Sequence, residues 1–162
     1  VKFSHSRKTR TFLFTAIAVL LLSFIPVPGV QTTMEIPAPP LLDQYQWKNR
    51  LLLLFAPDEE DRTYKLQLEE LLKQERGLRE RELLIFHIFP DSVKLPDGTV
   101  SGQADASNLR KHYVIPQKET ATLLIGKDGG EKLRSRDLLT TERLFQTIDA
   151  MPMRRQEMKE QD

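Results

Sequence analysis

The sequence predicts one α/β domain with a four-stranded mixed sheet and helices on both faces, and three observations predict it. Residues 51–55 (LLLLF), 83–89 (LLIFHIF) and 121–126 (ATLLIG) are short apolar runs with the length of strands buried on both faces. Between the first two lies a stretch with apolar residues at helical spacing. After the third comes Lys127-Asp128-Gly129-Gly130, in which Asp-Gly supplies the positive-φ positions of a tight hairpin.

Taken in order, the chain first shows a basic stretch, residues 2–10, then the apolar residues 12–25, then Pro26 and Pro28. This pattern predicts a signal peptide over residues 1–29, with cleavage after Gly29, or an uncleaved anchor in the same place. The apolar run is shorter than the ~20 residues of a spanning helix. Either reading predicts export: periplasmic, secreted, or anchored on the outer side of the cytoplasmic membrane. Residues 30–44 are rich in proline and predict an extended tether. Residues 45–153 form the predicted domain, and residues 154–162 a charged tail expected to fray.

Within the domain, the first strand ends at Ala56-Pro57. Asp58 is the expected N-cap of the first helix, with Asp61 three residues on as a capping-box partner. Tyr64, Leu68, Leu71 and Leu72 make its apolar stripe, and Gly77 its stop. The second strand is followed by a polar loop over residues 90–104 and a short helix over 105–112. A charged edge strand, residues 131–135, returns from the hairpin. Thr140 caps the last helix, whose core face is Leu144, Phe145 and Ile148, and Pro152 ends it. The order is β-α-β-α-β-β-α, which is the thioredoxin-like one.

Composition narrows the function. Cysteine is absent, which excludes disulfides, thiolate nucleophiles and cysteine metal sites. Residues 1–29 hold four bases and no acid, so residues 30–162 carry a formal charge of −3. That balance gives no support to nucleic-acid binding. Contact with a membrane is expected only through an uncleaved amino-terminal segment.

The segments WKNRLLLLFAP (47–57), LLIGKDGGEKLR (123–134) and IDAMPMRRQE (148–157) resemble the P-DUDES family. This is a peroxiredoxin-like, thioredoxin-fold domain of unknown function in exported bacterial and extracellular vertebrate proteins. The resemblance spans roughly residues 41–158. It implies the fold and an extracytoplasmic setting, and no known reaction. In thioredoxin-like proteins the redox cysteines sit where the first strand feeds the first helix. Here that junction is Ala56-Pro57-Asp58-Glu59-Glu60-Asp61, whose charge repels a thiolate or phosphate. The place of the usual cis-proline holds Thr120 or Ala121.

Other constellations read as structure. The acidic cluster Asp58 to Asp61 could take a divalent cation, against which stand capping and dipole compensation. His87 reads as a buried histidine, and His112 has no third ligand to complete a metal site. Gly126 to Gly130 lacks a phosphate-loop pattern. Met151 and Met153 could offer thioethers to cuprous copper, or simply pack at a helix end. Ser101, Ser107 and Ser135 stand in no nucleophile elbow. The reading is therefore a non-catalytic binding module without cofactor or metal. Its expected partner is an envelope or extracellular protein. Its candidate interaction residues are Asp58, Glu59, Asp61, Arg154 and Arg155. The alternative is an enzyme using carboxylate, histidine or arginine chemistry.

Overall fold

The computed structural model describes residues 39–161. The expected signal segment and residues 30–38 of the tether lie outside the described residues; residues 40–43, expected as extended tether, instead form a short helix whose Leu42 is buried in the core. The elements are α1 (Pro40–Asp43), β1 (Arg50–Phe55), α2 (Arg62–Leu72), α3 (Glu75–Glu80), β2 (Leu83–Ile88), β3 (Val93–Lys94), β4 (Val100–Ser101), α4 (Gln103–His112), β5 (Ala121–Ile125), β6 (Glu131–Ser135), α5 (Thr141–Asp149) and α6 (Pro152–Gln161).

The sheet runs β4-β3-β2-β1-β5-β6. Strands β1 and β2 are parallel, and every other pairing is antiparallel. Because side chains alternate across a strand, β1 feeds two cores. Leu51, Leu53 and Phe55 face one, with Phe86, Ile88, Leu109, Tyr113 and Leu123. Leu52 and Leu54 face the other, with Leu71, Leu78, Leu124, Leu144 and Ile148. Helix α4 thus covers one face, and α2, α3 and α5 the other. This double burial is why β1 reads as an unbroken apolar run.

The expected sheet of four strands is corrected to six. The extra strands β3 and β4 lie inside the stretch expected as a polar loop. The same Asp-Gly signal that makes the later hairpin works here at Asp97-Gly98. Gly98 takes φ +84. Asp97 accepts from the Thr99 N–H at 2.9 Å, and Leu95 N–H donates to the Thr99 carbonyl at 2.8 Å. Val93 is buried in the first core and anchors the pair.

Helix boundaries also differ. The helix that follows β1, α2, is capped by Asp61, not Asp58. Asp58 Oδ1 accepts from the Glu60 N–H at 2.8 Å, a local turn that delays the helix, and Asp61 Oδ1 then takes the Tyr64 N–H at 2.8 Å. Gly77 stops nothing: it lies within α3, where a Cβ would meet Phe145 Cε2 at 2.7 Å. Thr140 caps α5 as expected, accepting from the Arg143 N–H at 3.3 Å. Pro152 opens α6, a position where its missing N–H costs nothing. The tail expected to fray is this helix, and Arg154 within it is only 6% exposed.

Candidate functional site

Chemistry-bearing residues gather at both ends of β1. At its carboxyl end the junction is saturated with local bonds. Asp61 accepts from the Tyr64 N–H and from Thr120 Oγ1 at 3.0 Å. Glu59 pairs with Lys94 at 2.7 Å, and Glu60 pairs with Lys65. Among the described residues no three His, Asp or Glu side chains lie together as metal ligands. Arg110 is buried beneath this end and donates to the carbonyls of Ala56, Ile88 and Pro116 at 2.5, 3.1 and 2.7 Å. Burial lowers its guanidinium below its usual value.

Tyr64 and His87 meet beside this junction, with the Tyr64 hydroxyl 2.9 Å from His87 Nδ1. Burial, then the charge of Lys94, lowers the His87 pKa, with Glu59 working the other way. The imidazole is therefore neutral at neutral pH. Burial and then Glu59 raise the Tyr64 phenol.

The amino-terminal end of β1 is built differently. Arg50 is 1% exposed. Its Nη1 and Nη2 grip the two oxygens of Glu157 at 3.1 and 2.9 Å, and Nη1 also donates to the Arg81 carbonyl at 3.0 Å. Lys127 reaches Glu157 at 2.7 Å and also pairs with Glu82. Arg154 lies 3.5 Å from Glu157 and 3.4 Å from Asp149, which Arg81 also holds at 2.6 Å. Burial pushes the Glu157 carboxyl up, but hydrogen bonds from Arg50 and Lys127, with their charges, outweigh it and hold it below its usual value. Burial likewise works to lower Lys127, and its bonds to Glu157 and Glu82 hold it above.

Local sequence makes this arrangement. The hairpin closes through Gly129 at φ +82, with Gly126 N–H donating to the Gly130 carbonyl at 2.9 Å, and it presents Lys127 beside Arg50. The short Ala150-Met151 link between α5 and α6 brings Glu157 back onto the start of β1. A cavity of about 260 Å³ opens here, lined by Arg50, Lys127, Lys132, Met151 and Met153 among others.

The structure does not bring the candidate interaction residues together. Asp58, Glu59 and Asp61 follow the carboxyl end of β1, whereas Arg154 and Arg155 lie on α6 at the other end. Arg154 is committed to Asp149 and Glu157, and Arg155 is exposed. Among the serines, Ser135 donates to the Asp137 carbonyl and Ser101 to Asp105, while Ser107 is exposed. His112 stacks edge-on with Tyr113, its centroid 4.6 Å away. Sequence reasoning missed Arg50, Lys127 and Glu157 as a unit. The available signal was that each belongs to a different one of the three segments singled out above.

The fold is thioredoxin-like, the fold of a peroxiredoxin, in a chain without cysteine. The likeness is to the reduced 2-Cys peroxiredoxin of Plasmodium vivax, with a TM-score of 0.55 and 16% identity over 72% of this chain and 84% of that one. Residues 41–157 match the domain of unknown function DUF4174, and the chain belongs to that family. It is 33% identical to the rat Sushi repeat-containing protein SRPX, over 80% of this chain and 28% of that protein. It is 31% identical to human Sushi repeat-containing protein SRPX2, over 73% of this chain and 26% of that protein. The chain thus spans about a quarter of the length of these relatives.

Proposed function

We infer that this chain is an exported, non-catalytic interaction domain of the P-DUDES kind, whose partner is an envelope or extracellular protein. One observation carries the reading. The three segments that resemble the family meet at the amino-terminal end of β1, opposite the end where the fold conducts thiol chemistry. The residues that gather there are cations, carboxylates and thioethers, and no hydroxyl or imidazole side chain lines the cavity they form. The opposite end supports the same reading, because Asp61 and Thr120 close the head of α2.

The test is crosslinking of the full chain in its native envelope, beside a hydrolase and peroxidase screen of the purified protein. Capture of a defined partner without turnover is the expected result. Turnover that copurifies with the protein and is lost in His87→Gln would replace it with the second reading. That reading, an enzyme independent of cysteine, is favoured by the Tyr64–His87 contact alone.

A further inference from the structure

We propose that the uncovered part of the β2 edge, over residues 83–86, accepts an extended, uncharged apolar segment of a partner protein as an added strand. This names how a partner would dock, and it rests on the interaction reading above.

The sheet is complete on one side of β2 and interrupted on the other. Strand β1 pairs along the whole of β2, whereas β3 pairs only with His87 and Ile88. Successive residues of a strand turn their N–H and C=O groups to opposite neighbours. Arg50 N–H donates to the Glu82 carbonyl at 3.0 Å and Ala56 N–H to the Ile88 carbonyl at 3.1 Å, so the even-numbered residues of β2 face β1. Leu83 and Ile85 therefore present their N–H and C=O groups outward, and among the described residues no strand lies beside them. Such a row of groups is a template for one more strand.

The surface beside this edge is apolar. A groove of about 430 Å³ runs along it, between the helices α2 and α3 and the β3–β4 hairpin. Leu72, expected in the apolar stripe of its helix, is instead 53% exposed on the groove wall. Leu84, Ile85 and Leu95 are half-buried there. Charge selects a neutral segment. The ionic side chains of the groove are already paired, Glu75 with Arg79 at 3.3 Å and Lys94 with Glu59 at 2.7 Å, so neither an acid nor a base would find a free counter-charge.

No described strand of a second copy fits this notch. A copy pairing antiparallel through its own β2 would carry its β3 along the same edge, against the turn at Glu82, where φ is +48. Strand β4 is only two residues long, and β6 brings Glu131, Lys132 and Arg134, which the groove does not pair. Lys94, opposite His87, closes one end of the notch. The open length is ~13 Å of strand, enough for a short segment of a partner.

The full chain, purified in mild detergent, is titrated with the capped peptide Thr-Val-Ile-Val-Thr while amide hydrogen exchange is followed by NMR. Two analogues are titrated in parallel: Thr-Val-Pro-Val-Thr, which lacks the central N–H, and the acidic Glu-Val-Ile-Val-Glu. Saturable slowing of exchange at the Leu83 and Ile85 amides is expected with the first peptide and not with the proline one. Leu72→Asp should weaken binding about tenfold or more, a loss of ~1.4 kcal/mol, and Leu72→Met should retain it. Leu72 is at the surface, so melting curves of both variants should match wild type. Leu138→Asp, at an exposed leucine outside the groove, should bind as wild type does. The proposal is overturned by absence of saturable slowing, by equal binding of the proline peptide, by tighter binding of the acidic one, or by indifference to Leu72→Asp. Slow exchange at both amides before any peptide is added would show the edge already covered and would also overturn it. The same protection appearing only as protein concentration rises would assign the edge to a second copy, with the same consequence. A partner crosslinked through another surface would leave the interaction reading standing while this site falls. Copurifying turnover would remove that reading whatever the peptide does.

Discussion

At the scale of single residues, two positions decide how helices begin and end. Asp61 holds both the Tyr64 N–H and Thr120 Oγ1, so it caps α2 and ties it to the segment entering β5. Asp61→Ala should cost ~1–2 kcal/mol in chemical denaturation, with Asn or Ser restoring part of it. Asp58→Ala removes only a local turn bond and should cost less; equal losses would return the cap to Asp58. Val114 is the second position. It is a β-branched residue at φ +55, 75% exposed, closing α4 while the Ile115 N–H donates to the Arg110 carbonyl at 2.8 Å. That bond pattern favours glycine or asparagine. Val114→Asn should therefore raise stability by about 1 kcal/mol, part of the ~1–2 kcal/mol left-handed penalty; an unchanged or lower denaturation midpoint would contradict it. The sequence carried a visible capping motif but not which aspartate would use it. Two aspartates three residues apart offer the same chemistry, and only the preceding turn chooses between them.

At the scale of elements, the long strands were legible and helix α6 was not. Strand β1 announces itself because both its faces are buried, so no polar residue interrupts it. Helix α6 is mostly polar and carries no apolar stripe to reveal it; what seats it is the Glu157 clamp. The partners in that clamp are 107 residues apart, and an arginine ahead of an apolar run reads locally as a flank. The clamp gives α6 a pH window. Glu157 has a folded pKa below its ordinary 4.5, so its contribution is present above that value and is lost as pH falls through the lowered one. Lys127 is held above its ordinary 10.5, so its contribution is complete below that value and is lost as pH rises through the raised one. Protection of the α6 amides from hydrogen exchange should accordingly be full near neutrality. Glu157→Gln should reduce it there while β1 and β5 stay protected. The loss should fall below the ~3–5 kcal/mol of a fully buried broken pair, since Glu157 is part-exposed. Unchanged α6 protection in that variant would show that the helix is seated by something else.

At the scale of the molecule, the sheet has two free edges that are handled differently. Strand β4 is only two residues long. Strand β6 is longer and carries Glu131, Lys132 and Arg134, with Arg134 and Glu131 paired at 2.7 Å. Charge on an open edge discourages pairing with another chain. Replacing Glu131 and Arg134 together by valine should produce concentration-dependent association by light scattering. A double variant that stays monomeric at the same concentrations would refute that role. Strands β2, β1, β5 and β6 and the helices on both faces followed from apolar runs and turn residues. The β3–β4 extension escaped because each strand is two residues long, too short for alternation to show.

The Arg50–Glu157 pair joins the start of the first strand to the last helix. In mechanical terms, the entry to the sheet and the last helix are tied at one point. A pull applied between Arg50 and the end of α6 would load that junction before the hydrogen bonds of β1 to its neighbours. Release of α6 there would leave Arg50 and Lys127 without the carboxylate of Glu157, two cations without that partner at the head of the sheet.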